Sequence, residues 1–159
     1  MSNGGVKLIQ NFWHTDAVFD QLHGSWLLDR RIGEEATMRG TAKFEWYQQG
    51  HLSYKESGRF VLKSGTSHEA YRSYIYSRLP NGFRVWFDEP EPRLFHEVHL
   101  NQVGDSLLGK AIHNCGSDEY ETHYRFSPNA SFCITHYVKG PKKNYVSITE
   151  FVREQNVAT

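Results

Sequence analysis

Glu119-Tyr120-Glu121-Thr122-His123-Tyr124-Arg125-Phe126 alternates without a break, with Tyr120, Thr122, Tyr124 and Phe126 on one side and Glu119, Glu121, His123 and Arg125 on the other. Successive side chains of a β-strand point to opposite faces, so this stretch reads as a strand with an aromatic inner face and a charged outer one. The same period of two runs through Trp26 to Ile32, Met38 to Tyr47, His51 to Leu62, His68 to Arg78, Phe83 to Asp88, Leu94 to Leu100, Leu107 to Cys115, Ser131 to Lys139 and Asn144 to Arg153. Turn residues separate them: Gln49-Gly50, Ser64-Gly65, Pro80-Asn81-Gly82, Glu89-Pro90-Glu91-Pro92, Val103-Gly104-Asp105, Gly116-Ser117, Ser127-Pro128-Asn129 and Gly140-Pro141. Asn81-Gly82 reads as a hairpin turn in which both residues tolerate positive φ. Connections this short leave no chain for parallel crossovers, and closing a meander removes its two edges. The expectation is an all-β fold, a closed antiparallel up-and-down barrel of about ten strands. Ahead of it, Thr15 or Asp16 is the expected N-cap of a short N-terminal helix carrying Ala17, Val18, Phe19 and Leu22, stopped by Gly24; residues 1–10 read as a loose arm.

At 159 residues the chain suits a single domain, 1–159. Eighteen basic residues balance eighteen acidic ones, and Lys142-Lys143 is the longest basic run, so a nucleic-acid partner is not expected. No apolar stretch approaches the roughly 20 residues that cross a bilayer as a helix, so no membrane is expected either. Met1 to Gln10 holds one Lys and no apolar segment of the kind an export signal needs, which points to a cytoplasmic protein with Cys115 and Cys133 as free thiols. Aromatic residues make up 14% of the sequence while mean hydropathy is −0.64, a combination that suits a sheet wrapped around an aromatic, partly polar interior.

Alternation turns Leu52, Tyr54, Glu56, Gly58, Phe60 and Leu62 inward, along with Leu94, His96, Val98 and Leu100 on the strand Leu94 to Leu100. It does the same for Gly109, Ala111, His113 and Cys115, and, less cleanly, for Ala70, Arg72, Tyr74 and Tyr76. Charges in such an interior must be paired or hydrated, and Glu56 and Arg72, on neighbouring strands, are the natural pair. One reading is that these groups simply satisfy one another in a wet barrel. The other is that Tyr54, Glu56, Arg72, Tyr74, His96, His113, Cys115, Tyr120, Tyr124 and His136 line a cavity for an organic, anionic small molecule.

Other chemistry is thinner. His96, His113 and His136 with Cys115 have the donor types of a zinc or iron site, but the spacing matches no metal motif, and on a strand His96 and His99 face opposite ways. No metal ligand is assigned, and haem or a metal through His96 or His113 stands as an alternative. Tyrosines with Arg72, Glu56 and a histidine offer a proton donor, an anion clamp and a base, so a lyase or isomerase using Tyr54, Glu56, Arg72, Tyr74 and His96 is a second alternative. There is no G-x-S-x-G and no phosphate loop. The cofactor is not named by the sequence; a small-molecule ligand is the expected partner, with a homo-oligomer left open.

Gly24-Ser25-Trp26, opening the first strand after the short helix, resembles the G-x-W signature of lipocalin and calycin barrels, with Arg153 as the arginine that packs over the tryptophan. A wider set of motifs includes Arg30-Arg31-Ile32, Gly40-x-Ala42-x-Phe44, Leu52-x-Tyr54-x-Glu56-x-Gly58, Arg72-x-Tyr74, Phe87-Asp88 and Arg93-x-Phe95-His96. With His113-x-Cys115-x-x-Asp118-x-Tyr120 and Val138-x-Gly140-Pro141-Lys142-Lys143-Asn144-Tyr145, these motifs resemble the lipocalin-like domain-of-unknown-function family 6314. The resemblance implies a calycin-type barrel and no assigned reaction. His136 and Asn144 stand where that family's pattern implies Trp and Asp.

Overall fold

The computed structural model describes residues 12–155. Among the described residues, eleven strands follow one short α-helix, α1 (Val18–Leu22). They are β1 (Gly24–Ile32), β2 (Ala36–Tyr47), β3 (His51–Leu62), β4 (Ser67–Leu79), β5 (Gly82–Phe87), β6 (Arg93–His99), β7 (Asn101–Val103), β8 (Ser106–Cys115), β9 (Asp118–Phe126), β10 (Phe132–Lys139) and β11 (Asn144–Arg153). They form one antiparallel sheet in the order β6-β5-β4-β3-β2-β1-β11-β10-β9-β8-β7. Each strand thus pairs with its chain neighbour, except where β1 meets β11. The eleventh strand, β7, lies just past Leu100, where alternation ends a strand, and takes in Val103, read from the sequence as a turn residue. β6 pairs with β5, and just past Leu100 the chain pairs with β8 as β7, so one bent stretch touches both ends of the sheet and nearly closes the barrel. Gly109 allows this approach, since a Cβ there would come within 2.6 Å of Val98 Cγ1.

One end of the barrel is filled by rings. Trp26, Phe44, Phe83, Phe126 and Phe151 are fully buried, and α1 adds Val18, Phe19 and Leu22 beneath them. Trp13 stacks on Trp26 with ring centroids 5.9 Å apart and donates its indole N–H to the Ser131 carbonyl. Trp26 donates to the Leu22 carbonyl, and the Arg153 guanidinium lies 3.9 Å from the centre of its ring. Arg153 also donates to the Gln21 and His23 carbonyls, groups that a helix end leaves without intrahelical partners. The arginine expected over Trp26 is therefore also the clasp of α1.

Several local expectations are corrected, among them Leu62, expected inside but exposed at the end of β3. Neither Thr15 nor Asp16 caps α1, whose N-cap position is Ala17 with no side-chain cap. Asn81 and Gly82 do not take positive φ; Pro80-Asn81 makes the turn, and Gly82 is needed because a Cβ would meet the Val98 carbonyl at 1.8 Å. The β5–β6 register slips between Val85 and Trp86, which pair with His96 and Leu94. This bulge turns Phe95 inward beside His96 and leaves Leu94, expected inside, exposed. Cys115, also expected inside, is exposed at the end of β8. The loose arm assigned to residues 1–10 lies outside the described residues. Among the described residues, no helix is long and apolar enough to cross a membrane.

Candidate functional site

Halfway up the barrel the aromatic filling gives way to a buried polar layer. Arg30, on the inward phase of β1 with Trp26 and Leu28, donates to both oxygens of Glu56 at 2.7 and 2.8 Å and to Thr149 Oγ1 at 2.7 Å. Tyr54 donates to the same carboxylate at 2.7 Å. Burial acts against both charges, but the paired geometry wins: Glu56 is held below the usual carboxylate range and Arg30 above its usual value. The pairing expected between Glu56 and Arg72 is thus corrected. The two residues do face each other across β3 and β4, yet both carboxylate oxygens belong to Arg30 and Tyr54. Arg30 reaches Glu56 from two strands away, across β2, where Gly40 and Ala42 are small.

Above this layer the barrel opens into a cavity of about 370 Å³, within the size range of small-molecule sites. Tyr74, Phe87, Phe95, His113 and Tyr120 wall it, and Arg30, Arg72, Arg93, Cys115 and His136 also line it; Arg72, expected in the interior, is exposed. Phe95 is the hub of the walls, with ring centroids 4.9 to 6.4 Å from those of Phe87, His113, Tyr74, His136 and Tyr120. The cationic groups differ in one respect. Arg30 is spent on Glu56 and Arg93 on Glu89, whereas Arg72 has no ion pair among the described residues. A smaller pocket of about 20 Å³ lies between the cavity and the aromatic core, and Arg30, Arg72, Tyr74, Phe95 and His136 line both spaces.

Two of these histidines, His96 and His136, are neutral donors and acceptors. Burial, with Arg72 and Arg30 nearby, pushes His136 down to about 3, and its Nδ1 lies 2.9 Å from Thr122 Oγ1. Burial, with His136 and His113 nearby, also pushes His96 to about 3. Its Nε2 lies 2.6 Å from the Tyr124 hydroxyl and its Nδ1 is buried without a partner. Burial likewise raises the phenols of Tyr54, Tyr74, Tyr76 and Tyr124, so all four stay protonated.

Of the residues singled out from the sequence, Arg72, Tyr74, His113, Cys115, Tyr120 and His136 line the cavity. Of these two spaces, Tyr54, Glu56 and Tyr124 line the smaller pocket and not the cavity, and His96 lines neither. The set imagined as an acid–base machine is therefore divided: only Arg72 and Tyr74 of its five members reach the cavity. No group of three or more His, Cys, Asp or Glu among the described residues is arranged to hold a metal ion. Sequence reasoning missed Arg30, Phe87, Arg93 and Phe95. Alternation from Trp26 would have found Arg30, and alternation from Phe83 would have found Phe87.

The model of a family of unknown function, DUF6314, matches residues 22–153. No curated protein matches the sequence. Among solved structures, the S-type phycobiliprotein lyase CPES from Guillardia theta shares the fold, with a TM-score of 0.64 at 11% identity, covering 96% of this chain and 99% of that one. A de novo designed fluorescence-activating β-barrel aligns at a TM-score of 0.42 and 14% identity, covering 89% of this chain and 100% of that one.

Proposed function

Because the chain belongs to DUF6314, a family of unknown function, its role is read from its own site, and we propose that the cavity binds a small organic anion with aromatic character. The observation that carries the reading is Arg72, an exposed guanidinium with no ion pair among the described residues that lines an aromatic-walled cavity of about 370 Å³. A structural arginine is normally paired, as Arg30 is here; an arginine left over beside a cavity suits an acid arriving from outside. Tyr74, Phe87, Phe95 and Tyr120 supply faces and edges for a flat apolar body. The likeness in fold to a phycobiliprotein lyase supports a small-molecule role for a barrel of this shape.

The test is quenching of the intrinsic fluorescence across aromatic carboxylates, flavin mononucleotide, haem and a linear tetrapyrrole, with Arg72→Leu as control. Binding by at least one acidic compound, weakened about tenfold or more in Arg72→Leu, is the expected result; tenfold corresponds to about 1.4 kcal/mol. If nothing binds below about millimolar, roughly 4 kcal/mol, the polar layer serves the fold and the binding reading fails.

A further inference from the structure

Thr122 and His136 are directly opposed across β9 and β10, with Oγ1 2.9 Å from Nδ1. Thr122 is wholly buried, and among the described residues its hydroxyl has no other hydrogen-bond partner. Two arrangements are chemically available. If Nδ1 carried the ring proton, it would donate to Oγ1 and the hydroxyl proton would be buried with no acceptor, which is the costly case. If the hydroxyl donates to a bare Nδ1, both atoms of this contact are satisfied and the ring proton sits on Nε2.

We infer that Thr122 fixes His136 as the Nε2–H tautomer, and that this N–H and the Arg72 guanidinium together form a donor-only seat for a carboxylate where the cavity narrows. The seat rests on the binding reading given above; the tautomer does not. The position follows from the residues that line both the cavity and the smaller pocket beneath it, Arg30, Arg72, Tyr74, Phe95 and His136, of which Arg30 is already bound to Glu56. Because His136 is neutral, the location of its single proton decides whether it offers a donor or an acceptor at Nε2. The chemical class follows from charge. Arg72 is the one cation of the cavity lining without an ion pair among the described residues, since Arg30 is held by Glu56 and Arg93 by Glu89. A single negative charge spread over two oxygens matches one guanidinium and one N–H, whereas a phosphate dianion would bring a second charge with no counterpart.

Two-bond proton–nitrogen NMR correlation of the ¹⁵N-labelled protein reads the tautomer directly, with the His136 ring assigned by its loss in His136→Gln. The wild type and Thr122→Ser should show a bare Nδ1 and a protonated Nε2, and Thr122→Val a mixture of the two tautomers. Titration with 2-naphthoate should shift the Nε2 signal, with affinity falling about tenfold in Arg72→Leu and several-fold in Thr122→Val, while Thr122→Ser stays close to wild type. A proton on Nδ1 in the wild type overturns the inference whatever binds. An Nε2–H that does not respond to millimolar 2-naphthoate overturns the seat; if the fluorescence panel is also silent the binding reading has failed, and if the panel shows Arg72-dependent binding only the seat has. Binding of 2-naphthyl phosphate or 2-naphthamide as tight as that of 2-naphthoate overturns the carboxylate class.

Discussion

Arg30 and Arg72 carry the same side chain and line the same cavity, but differ in what holds them. Arg30 is buried, bidentate on Glu56 and backed by Thr149; Arg72 is more exposed and unpaired among the described residues. Removing one partner of a buried ion pair leaves an uncompensated charge, while removing both leaves a gap that apolar side chains fill. Arg30→Met should therefore cost about 3 to 5 kcal/mol, and Arg30→Met with Glu56→Leu should recover a large part of it. Urea denaturation of the four proteins in the cycle measures this, and simple additivity of the two losses would show that the pair is not coupled. Arg72→Leu should move the denaturation midpoint by no more than about 0.5 kcal/mol, because it breaks no ion pair. A loss as large as that of Arg30→Met would make Arg72 structural and remove the ground for calling it an anchor.

At the scale of elements, α1 is five residues long, too short to be helical on its own, so its place depends on what holds it. The clasp is Arg153, which joins the last strand to two carbonyls at the end of α1 and to the face of Trp26. Trp26→Ala should cost about 3 to 5 kcal/mol as a large core side chain lost, whereas Arg153→Ala should cost less but raise protease cleavage around residues 13–23 while the barrel stays intact. Equal cleavage rates in Arg153→Ala and wild type would show that the helix is held by its apolar face alone. This element was legible in the sequence, since Gly24-x-Trp26 and a late arginine mark both ends of the contact. The barrel was legible too, because period-two alternation and short turns allow little else. What alternation could not give was the bulge in β6: one extra residue reverses the phase, so Leu94 and Phe95 exchange faces and the hub of the cavity walls is hidden. The partner of Glu56 was hidden for a different reason, as cross-strand reasoning looks to the next strand and Arg30 lies one strand beyond β2.

For the molecule as a whole, the buried polar layer ties stability to pH. An unfolded histidine takes up a proton near pH 6.5, whereas His96 and His136 in the folded barrel do so only at about 3. Between those values the unfolded chain binds more protons than the folded one, so stability declines as the pH falls below about 6.5, at up to about 1.4 kcal/mol per pH unit for each fully coupled histidine. Glu56, held below its ordinary value, acts lower: its contribution is present above the unfolded carboxylate value near 4.3 and fades as the pH falls through the folded one. The expected profile is thus level with respect to these groups above about pH 7, descends from about 6.5 toward 4.5 through the histidines, and steepens further below as the Glu56 contribution is lost. Urea midpoints measured between about pH 4.5 and 8 trace the first two parts. His96→Gln, which cannot take up a proton in either state, should flatten the descent by about the share of one histidine, and His136→Gln should do the same. A descent unchanged in both variants would place the proton uptake on other groups, and would mean that the two imidazoles do not stay neutral inside the barrel.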